Sequence, residues 1–217
     1  MNSDVGSHTF DKVTVFVLRY RARHTEVLTF LHPLAGRQIP AGSVEQGELP
    51  VEAARREVVE ETGFESLTRF VAIGEWVETL EGEAVALADM AVQDASGIET
   101  DQIKRGHRVR IERSDGARAL VRRLVYDFNV EPPVELPVNA GWANLSEFGT
   151  RIRRSFFVAS AENDGRLSWV QRADGHDFLV EWRPLDRHLT LIAGQAEWLA
   201  AHLEALEGYL EGIASLQ

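Results

Sequence analysis

Three carboxylates on a single helical turn, closed in by glycines on both sides, constrain this chain more than any other feature. Residues 42–64 read Gly-Ser-Val-Glu-Gln-Gly-Glu-Leu-Pro-Val-Glu-Ala-Ala-Arg-Arg-Glu-Val-Val-Glu-Glu-Thr-Gly-Phe. Val51, Ala54 and Val58 recur at helical spacing and predict a helix over about residues 50–62 with one packing stripe. Pro50 suits the first helical position, where its missing N–H costs nothing. Leu49 stands where a Ser, Thr or Asp cap is usual, and Gly63 has the place of a terminating glycine. Glu57, Glu60 and Glu61 then lie at i, i+3 and i+4, off the stripe and within about 5–6 Å of one another. Like charges that close destabilise a bare helix. Hard divalent cations, which prefer carboxylate oxygen, reverse that cost. The spacing therefore points to a site for Mg²⁺ or Mn²⁺.

Written with its fixed positions, the stretch is G-x5-E-x7-R-E-U-x-E-E-x-G-U, with U a bulky apolar residue. Gly42, Glu48, Arg56, Glu57, Val58, Glu60, Glu61, Gly63 and Phe64 fill every position. At average residue frequencies a chance match has odds of roughly one in ten million. An isolated E-x-x-E-E run is usually a solvated helix face laced with Arg–Glu pairs; the complete pattern sets this one apart. It resembles the signature box of the Nudix hydrolases.

That resemblance implies an α/β (α+β) fold, an αβα sandwich around a mixed sheet. It implies a pyrophosphohydrolase acting on a nucleoside diphosphate linked to another moiety, with Mg²⁺ or Mn²⁺ as cofactor. Position by position, Glu57, Glu60 and Glu61 would bind metal, joined by the main-chain carbonyl of Ala41. Arg56 would pair with a box glutamate and hold its rotamer. Glu48 would tie the loop to the helix, while Gly42 and Gly63 provide the turns. In related enzymes the general base lies in the box, here Glu57 or Glu60, or on a later loop. The loop candidates are Asp174, His176 and Asp177; as isolated residues each reads equally as part of a turn.

Around the box, Val13–Tyr20 and Glu26–Leu31 read as strands and Arg37–Pro40 as a short strand feeding the turn. Residues 1–10 read as a loose tail. Ser66–Glu78 returns as a strand, and Arg151–Ala159 reads as its partner. The intervening stretch departs from a compact Nudix domain. The expected division is therefore a Nudix domain of residues 1–80 and 150–217, with 81–149 as a β-rich insertion built on a hairpin. In the insertion, Arg108–Glu112 and Ala119–Phe128 pair around Ser114-Asp115-Gly116, Val130–Val138 is extended, and Gly141–Phe148 is a short helix. Further on, a turn falls at Glu162–Gly165. Leu167–Gln171 and Asp177–Trp182 are strands, and a closing helix runs from about Leu189 to Tyr209.

The insertion carries Lys104, Arg105, Arg108, Arg110, Arg113, Arg118, Arg122 and Arg123, offset locally only by Glu112 and Asp115. One reading is a phosphate-gripping flap. The ordinary one is solvated or internally paired charge, the default for such side chains. Trp76, Trp142, Phe156 and Trp169 could each stack a base, against the commoner role of core packing.

Composition narrows the function classes. The 217-residue chain has a formal net charge of −11, which argues against a double-stranded DNA binder. It does not argue against a small nucleotide-diphosphate substrate, since bound metal supplies local positive charge. With no cysteine, thiol catalysis and zinc–thiolate sites are excluded. No apolar run reaches membrane-spanning length, and the first residues lack the pattern of a signal peptide, so a cytoplasmic enzyme without a membrane partner is expected. A homodimer is expected by analogy with the family. Sequence marks of the substrate subgroups are absent, Thr79 and Leu80 standing where one of them has a proline. Two other readings stay open: a Nudix-fold sensor that binds a nucleotide metabolite without cleaving it, and an RNA-end pyrophosphohydrolase that grips RNA with the basic insertion.

Overall fold

The computed structural model describes residues 8–21, 23–127, 134–162, 164–192 and 194–214. Most of the expected tail, Asn163 of the expected 162–165 turn and the first part of the expected extended stretch at 130–138 lie outside those residues.

In chain order the strands are β1 (Thr9–Arg21), β2 (His24–His32), β3 (Gly36–Gln38), β4 (Ala41–Ser43), β5 (Leu67–Thr79), β6 (Glu83–Ala86), β7 (Met90–Gln93), β8 (Glu99–Ile103), β9 (Arg108–Asp115), β10 (Arg118–Arg123), β11 (Tyr126–Asp127), β12 (Val134–Glu135), β13 (Ala140–Asn144), β14 (Phe148–Gly149), β15 (Arg151–Ala161), β16 (Ser168–Ala173) and β17 (His176–Pro184). The helices are α1 (Pro50–Thr62) and α2 (Gln195–Ala214). The fold is α+β, mostly sheet. The chain divides into two compact units: Lys12–Glu75 with the chain from Arg154 onward, and Trp76–Arg153 with the stretch through Asp11.

An eight-stranded sheet runs β16-β17-β2-β1-β15-β5, with β3 adding to β2 and β4 to β1. Strand alternation explains its layering. Val13, Val15 and Val17 of β1, with Phe157 and Ala159 of β15, pack with Ala53, Ala54 and Val58 of α1. Their sequence neighbours Phe16, Leu18, Phe156 and Val158 turn the other way and pack with Leu199 and Leu206 of α2. Covered on both faces, the central strands are apolar at nearly every position, which is why Val13–Leu18 reads as one hydrophobic run. Each fully buried Phe or Leu there contributes about 1.5–3 kcal/mol relative to exposure.

Helix α1 is fixed at both ends. The Leu49 N–H donates to the Glu52 carboxylate (2.9 Å), a reciprocal contact that serves where no side-chain cap is available. At the other end Gly63 has φ +64° and its N–H closes on the Val59 carbonyl (2.8 Å). Strand β16 then holds the last turn: Trp169 Nε1 donates to the Thr62 carbonyl (2.6 Å) and Gln171 Nε2 to the Glu60 carbonyl (3.2 Å). These bonds satisfy carbonyls that a helix end leaves open.

Helix α2 begins at Gln195, six residues later than its apolar pattern suggested. Leu189–Ile192 instead have no regular secondary structure, with the Ile192 N–H on the Arg37 carbonyl, and Gly194 has φ +81°. The buried Gln195 side chain accepts from the Ile39 N–H (2.6 Å) and donates to the Ile39 carbonyl (3.1 Å). It anchors the helix to the chain that leads into β4.

The other unit contains a seven-stranded sheet in the order β14-β6-β9-β10-β13-β7-β8, with antiparallel neighbours throughout. The β9–β10 hairpin was legible; the strands around it were not. The expected helix over Gly141–Phe148 is instead strand β13, a single 3-10 turn at Leu145–Glu147, and strand β14. Pairing decides the matter. Gly141 and Ala143 face Val121 and Ala119 across β10, and a Cβ at Gly141 would come within 2.8 Å of Val92. That face belongs to a core of Val92, Ala119, Val121, Ala143 and Phe148.

Most of the basic cluster is internally paired. Lys104 bonds Asp89, Arg108 bonds Glu78, Arg110 bonds Glu135, Arg122 bonds Glu112 and Arg123 bonds Asp101. Among the described residues no helix is long and apolar enough to cross a membrane.

Gly63→Ala should destabilise the protein by about 1–2 kcal/mol through the left-handed backbone alone. A Cβ there would also sit 2.5 Å from Gln171 Oε1, so the cost should reach or exceed that figure. A denaturation midpoint unchanged from the parent would contradict this account of the helix end.

Candidate functional site

The site is built on α1, β4 and the β16–β17 turn. The Arg56 guanidinium stands at its centre. Its Nε and Nη2 bond both carboxylate oxygens of Glu48 (3.0 Å each), its Nη1 reaches Glu57 (2.9 Å) and Glu60 (3.0 Å), and Nη2 also donates to the Ser43 carbonyl (2.9 Å). The paired geometry with Glu48 suits a planar guanidinium and a carboxylate. Hydrogen bonding to Glu48 is the main reason the Arg56 pKa lies even higher than usual. Glu48 also accepts the Glu45 N–H (2.9 Å), which ties the loop to the helix.

The three acidic residues differ in environment. Glu57 is mostly covered, its side chain 12 % exposed, whereas Glu60 is 57 % exposed. Burial pushes the Glu57 carboxyl above its ordinary range; Arg56 pulls it down and neighbouring Glu60 pushes it up. Glu61 accepts the Ala41 N–H (3.0 Å). Burial raises its carboxyl well above the ordinary value, the Ala41 bond opposes this, and the negative charges of Glu57, Asp174 and Glu60 add to the rise. Gly42 makes room for the arrangement: a Cβ there would lie 2.0 Å from the Glu57 carboxylate.

Opposite these residues, Asp174 and Gly175 form the two-residue loop between β16 and β17, closed by the Ala173–His176 pair. Both have positive φ (+49° and +77°), the requirement of a type I′ hairpin, which Asp-Gly satisfies. The loop places Asp174 on an open cavity of about 610 Å³, shared with Glu57, Glu60, Glu61, Gln171 and Arg172.

Of the three loop candidates, then, Asp174 shares the cavity with the box carboxylates. Asp177 is paired with Arg172 on the surface (2.9 Å). The His176 ring stands 5.0 Å from that of His32. His32 was not singled out from the sequence. Its Nδ1 accepts the N–H groups of Leu34 and Ala35 (3.1 and 3.0 Å), which leaves Nε2 to carry the proton of the neutral ring. Burial lowers its pKa first, His176 lowers it further, and Asp174 opposes both. The dipeptide His32-Pro33 ahead of a turn was the available signal. Arg172 and Gln171 were also missed as lining residues, since a strand facing a cavity looks like any half-exposed strand.

Among the described residues no three His, Asp or Glu side chains converge closely enough to hold an ion as they stand. Arg56 takes up Glu57 and Glu60, and the Ala41 N–H takes up Glu61. In chemistry, however, the donor set suits a hard divalent cation: carboxylate oxygens, one of them exposed and free to swing, beside a main-chain turn. Like charges that raise one another's pKa in partial burial are the condition a cation relieves.

Comparison with known proteins agrees with this local picture. The family model for the NUDIX domain matches residues 11–89. A 41-residue segment is 46% identical to an RNA pyrophosphohydrolase of Bartonella clarridgeiae, covering 19% of this chain and 24% of that protein. The chain thus spans about a quarter of the length of the curated relative it matches. Among solved structures, the NUDIX domain of Shewanella oneidensis NrtR in complex with ADP ribose aligns at TM-score 0.45 and 14% identity, covering 98% of this chain and 94% of that one. The dihydroneopterin triphosphate pyrophosphohydrolase of E. coli aligns at TM-score 0.40 and 15% identity, covering 87% and 91%. The matched residues 11–89 include β2 to β4, α1 and the arginine-centred carboxylates, so the likeness to the NUDIX domain falls on the part of the chain that carries the acidic cluster.

Proposed function

We propose that this protein is a metal-dependent pyrophosphohydrolase that cleaves the phosphoric anhydride bond of a nucleoside diphosphate linked to another group. The observation that carries the reading is the seating of the Glu57 carboxylate against Gly42 and Arg56, beside Glu61 and the open cavity. Glu57, Glu60 and Glu61, with the main-chain carbonyl of Ala41, would hold Mg²⁺ or Mn²⁺. When bound, such ions neutralise phosphate charge and make water more acidic.

The chain's own groups do the rest. Arg56 orients Glu57 and Glu60, and Glu48 orients Arg56. Arg172, on the cavity wall, can meet a phosphate oxygen by exchanging its exposed partner Asp177. Asp174 faces the carboxylates across the cavity, and we assign it the role of accepting the proton of the attacking water, ahead of His176 and Asp177. Positioning a water and neutralising charge are the main demands of phosphoryl transfer, so a site of carboxylates and one or two guanidiniums is sufficient.

A second reading, in which the diphosphate is at an RNA end, is favoured by the short likeness to a protein named as an RNA pyrophosphohydrolase. One screen separates the two. Phosphate release is followed with Mg²⁺ or Mn²⁺ over nucleoside diphosphate derivatives and 5′-triphosphorylated RNA, and the substrate hydrolysed identifies the class. Glu60→Gln should lower kcat about a hundredfold or more, in the range seen when a charge-stabilising group is removed. Unchanged activity in that variant overturns the assignment.

Gly42→Ala should abolish most activity while leaving the fold intact, since the added methyl displaces the Glu57 carboxylate rather than straining the backbone. Parallel assays of turnover and thermal unfolding check this.

A carboxyl whose pKa rises on folding favours the folded state while protonated, and that contribution fades as pH climbs through the raised value. With Glu57 and Glu61 both raised, the metal-free protein should lose thermal stability as pH rises above the ordinary carboxylate range. Added Mg²⁺ should restore more at the upper end, because binding needs the ionised carboxylates. Glu61→Gln should flatten the profile; a slope as steep as the parent's would show that these carboxyls are not its source.

A further inference from the structure

We infer that the outer face of the seven-stranded sheet carries a second binding site, centred on Trp142, for a nucleobase bearing a phosphate. The site lies wholly within the Trp76–Arg153 unit and does not depend on the hydrolytic reading above.

Register builds it. Trp142 lies opposite Leu120 on β10 and Gln93 on β7, and Leu120 lies opposite Arg113 on β9. Arg118, two residues before Leu120, lies opposite Asn144, two residues after Trp142. Residues two apart share a face, so these side chains point to one side of the sheet while Ala119, Val121, Ala143 and Val92 point into the core. Four of the outward side chains, Gln93, Arg118, Trp142 and Asn144, line a cavity of about 210 Å³ together with Glu147, and Arg113 reaches it over the Trp142 ring. That volume admits one base rather than a whole nucleotide.

Charge gives the ligand its second half. Lys104, Arg108, Arg110, Arg122 and Arg123 are taken up by carboxylates of the same unit. Arg113 and Arg118 differ: among the described residues neither has a carboxylate partner, and both guanidiniums sit over Trp142, 5.0 and 5.7 Å from its ring. In a protein with a net charge of −11, two guanidiniums at one aromatic ring with no ion pair among the described residues are a local exception, with Glu147 the one carboxylate on the cavity wall. A half-buried indole offers a stacking surface, the Gln93 and Asn144 amides offer both donors and acceptors to a base edge, and the guanidiniums match phosphate oxygens. Stacking plus arginine is the usual means by which proteins hold an unpaired base.

The ligand chemistry is shared by a free nucleotide and by the exposed base of a single-stranded RNA, and the test separates them. The full chain is titrated, with EDTA present to silence metal-dependent binding, against AMP and against a short 5′-phosphorylated oligoribonucleotide. Saturable binding of at least one is expected. AMP binding as tightly as the oligonucleotide marks a free-nucleotide site; tighter, salt-sensitive oligonucleotide binding marks an RNA contact. Trp142→Leu should weaken binding about tenfold or more. The double variant Arg113→Gln/Arg118→Gln should weaken it and reduce its salt dependence, and it guards against a folding defect in the tryptophan variant. Turnover of a metal-dependent substrate should be retained in both variants. No saturable binding of either ligand, or parental affinity in both variants, overturns the proposal.

Discussion

One guanidinium gathers the acidic site. Arg56 binds Glu48, Glu57, Glu60 and the Ser43 carbonyl at once, so a single side chain joins the loop after β4, the middle of α1 and its last turn. Four carboxylates crowded near one helix end would repel one another if left alone. With Arg56 among them, three are bonded to one guanidinium and the fourth, Glu61, is held from the other side by the Ala41 backbone. A buried ion pair is seldom a net source of stability, because desolvation offsets the attraction. Its value here is in geometry: it keeps the acids together and sets their orientation.

The local frame of that cluster is built from simple parts. Glycine at 42 leaves room for a carboxylate, glycine at 63 turns the chain where the helix must stop, and Asp174-Gly175 is the tight turn that brings a further acid to the same cavity. Behind them, a sheet apolar on both faces holds α1 through Val58 and its neighbours. The candidate site is carried on short loops and one helical turn, and the layers they rest on hold it in place.

Much of this was legible in the chain. The box located α1 at both ends, the apolar runs located β1, β2 and β15, and the resemblance implied the Arg56 pairing with a box glutamate. Two kinds of feature were not legible. The first was pairing in the middle of the chain: Ala140–Asn144 has too few apolar residues to separate a strand from a helix, and only its partners on β10 and β7 decide. The second was the difference between paired and unpaired charge. Arg122 and Arg118 look alike in a sequence, yet one meets Glu112 and the other lies over Trp142, a distinction set by register. Likewise His32 and His176 are far apart in the chain, and only adjacent strands bring their rings together.

The Gln195 amide ties two distant parts of the chain together. It satisfies both backbone groups of Ile39, two residues ahead of Ala41, from the first turn of a helix that begins more than 150 positions later. The closing helix is thereby latched to the segment between β3 and β4, which leads to the acidic cluster. Through that latch, the first turn of the closing helix stands two backbone residues from the Ala41 N–H that holds Glu61.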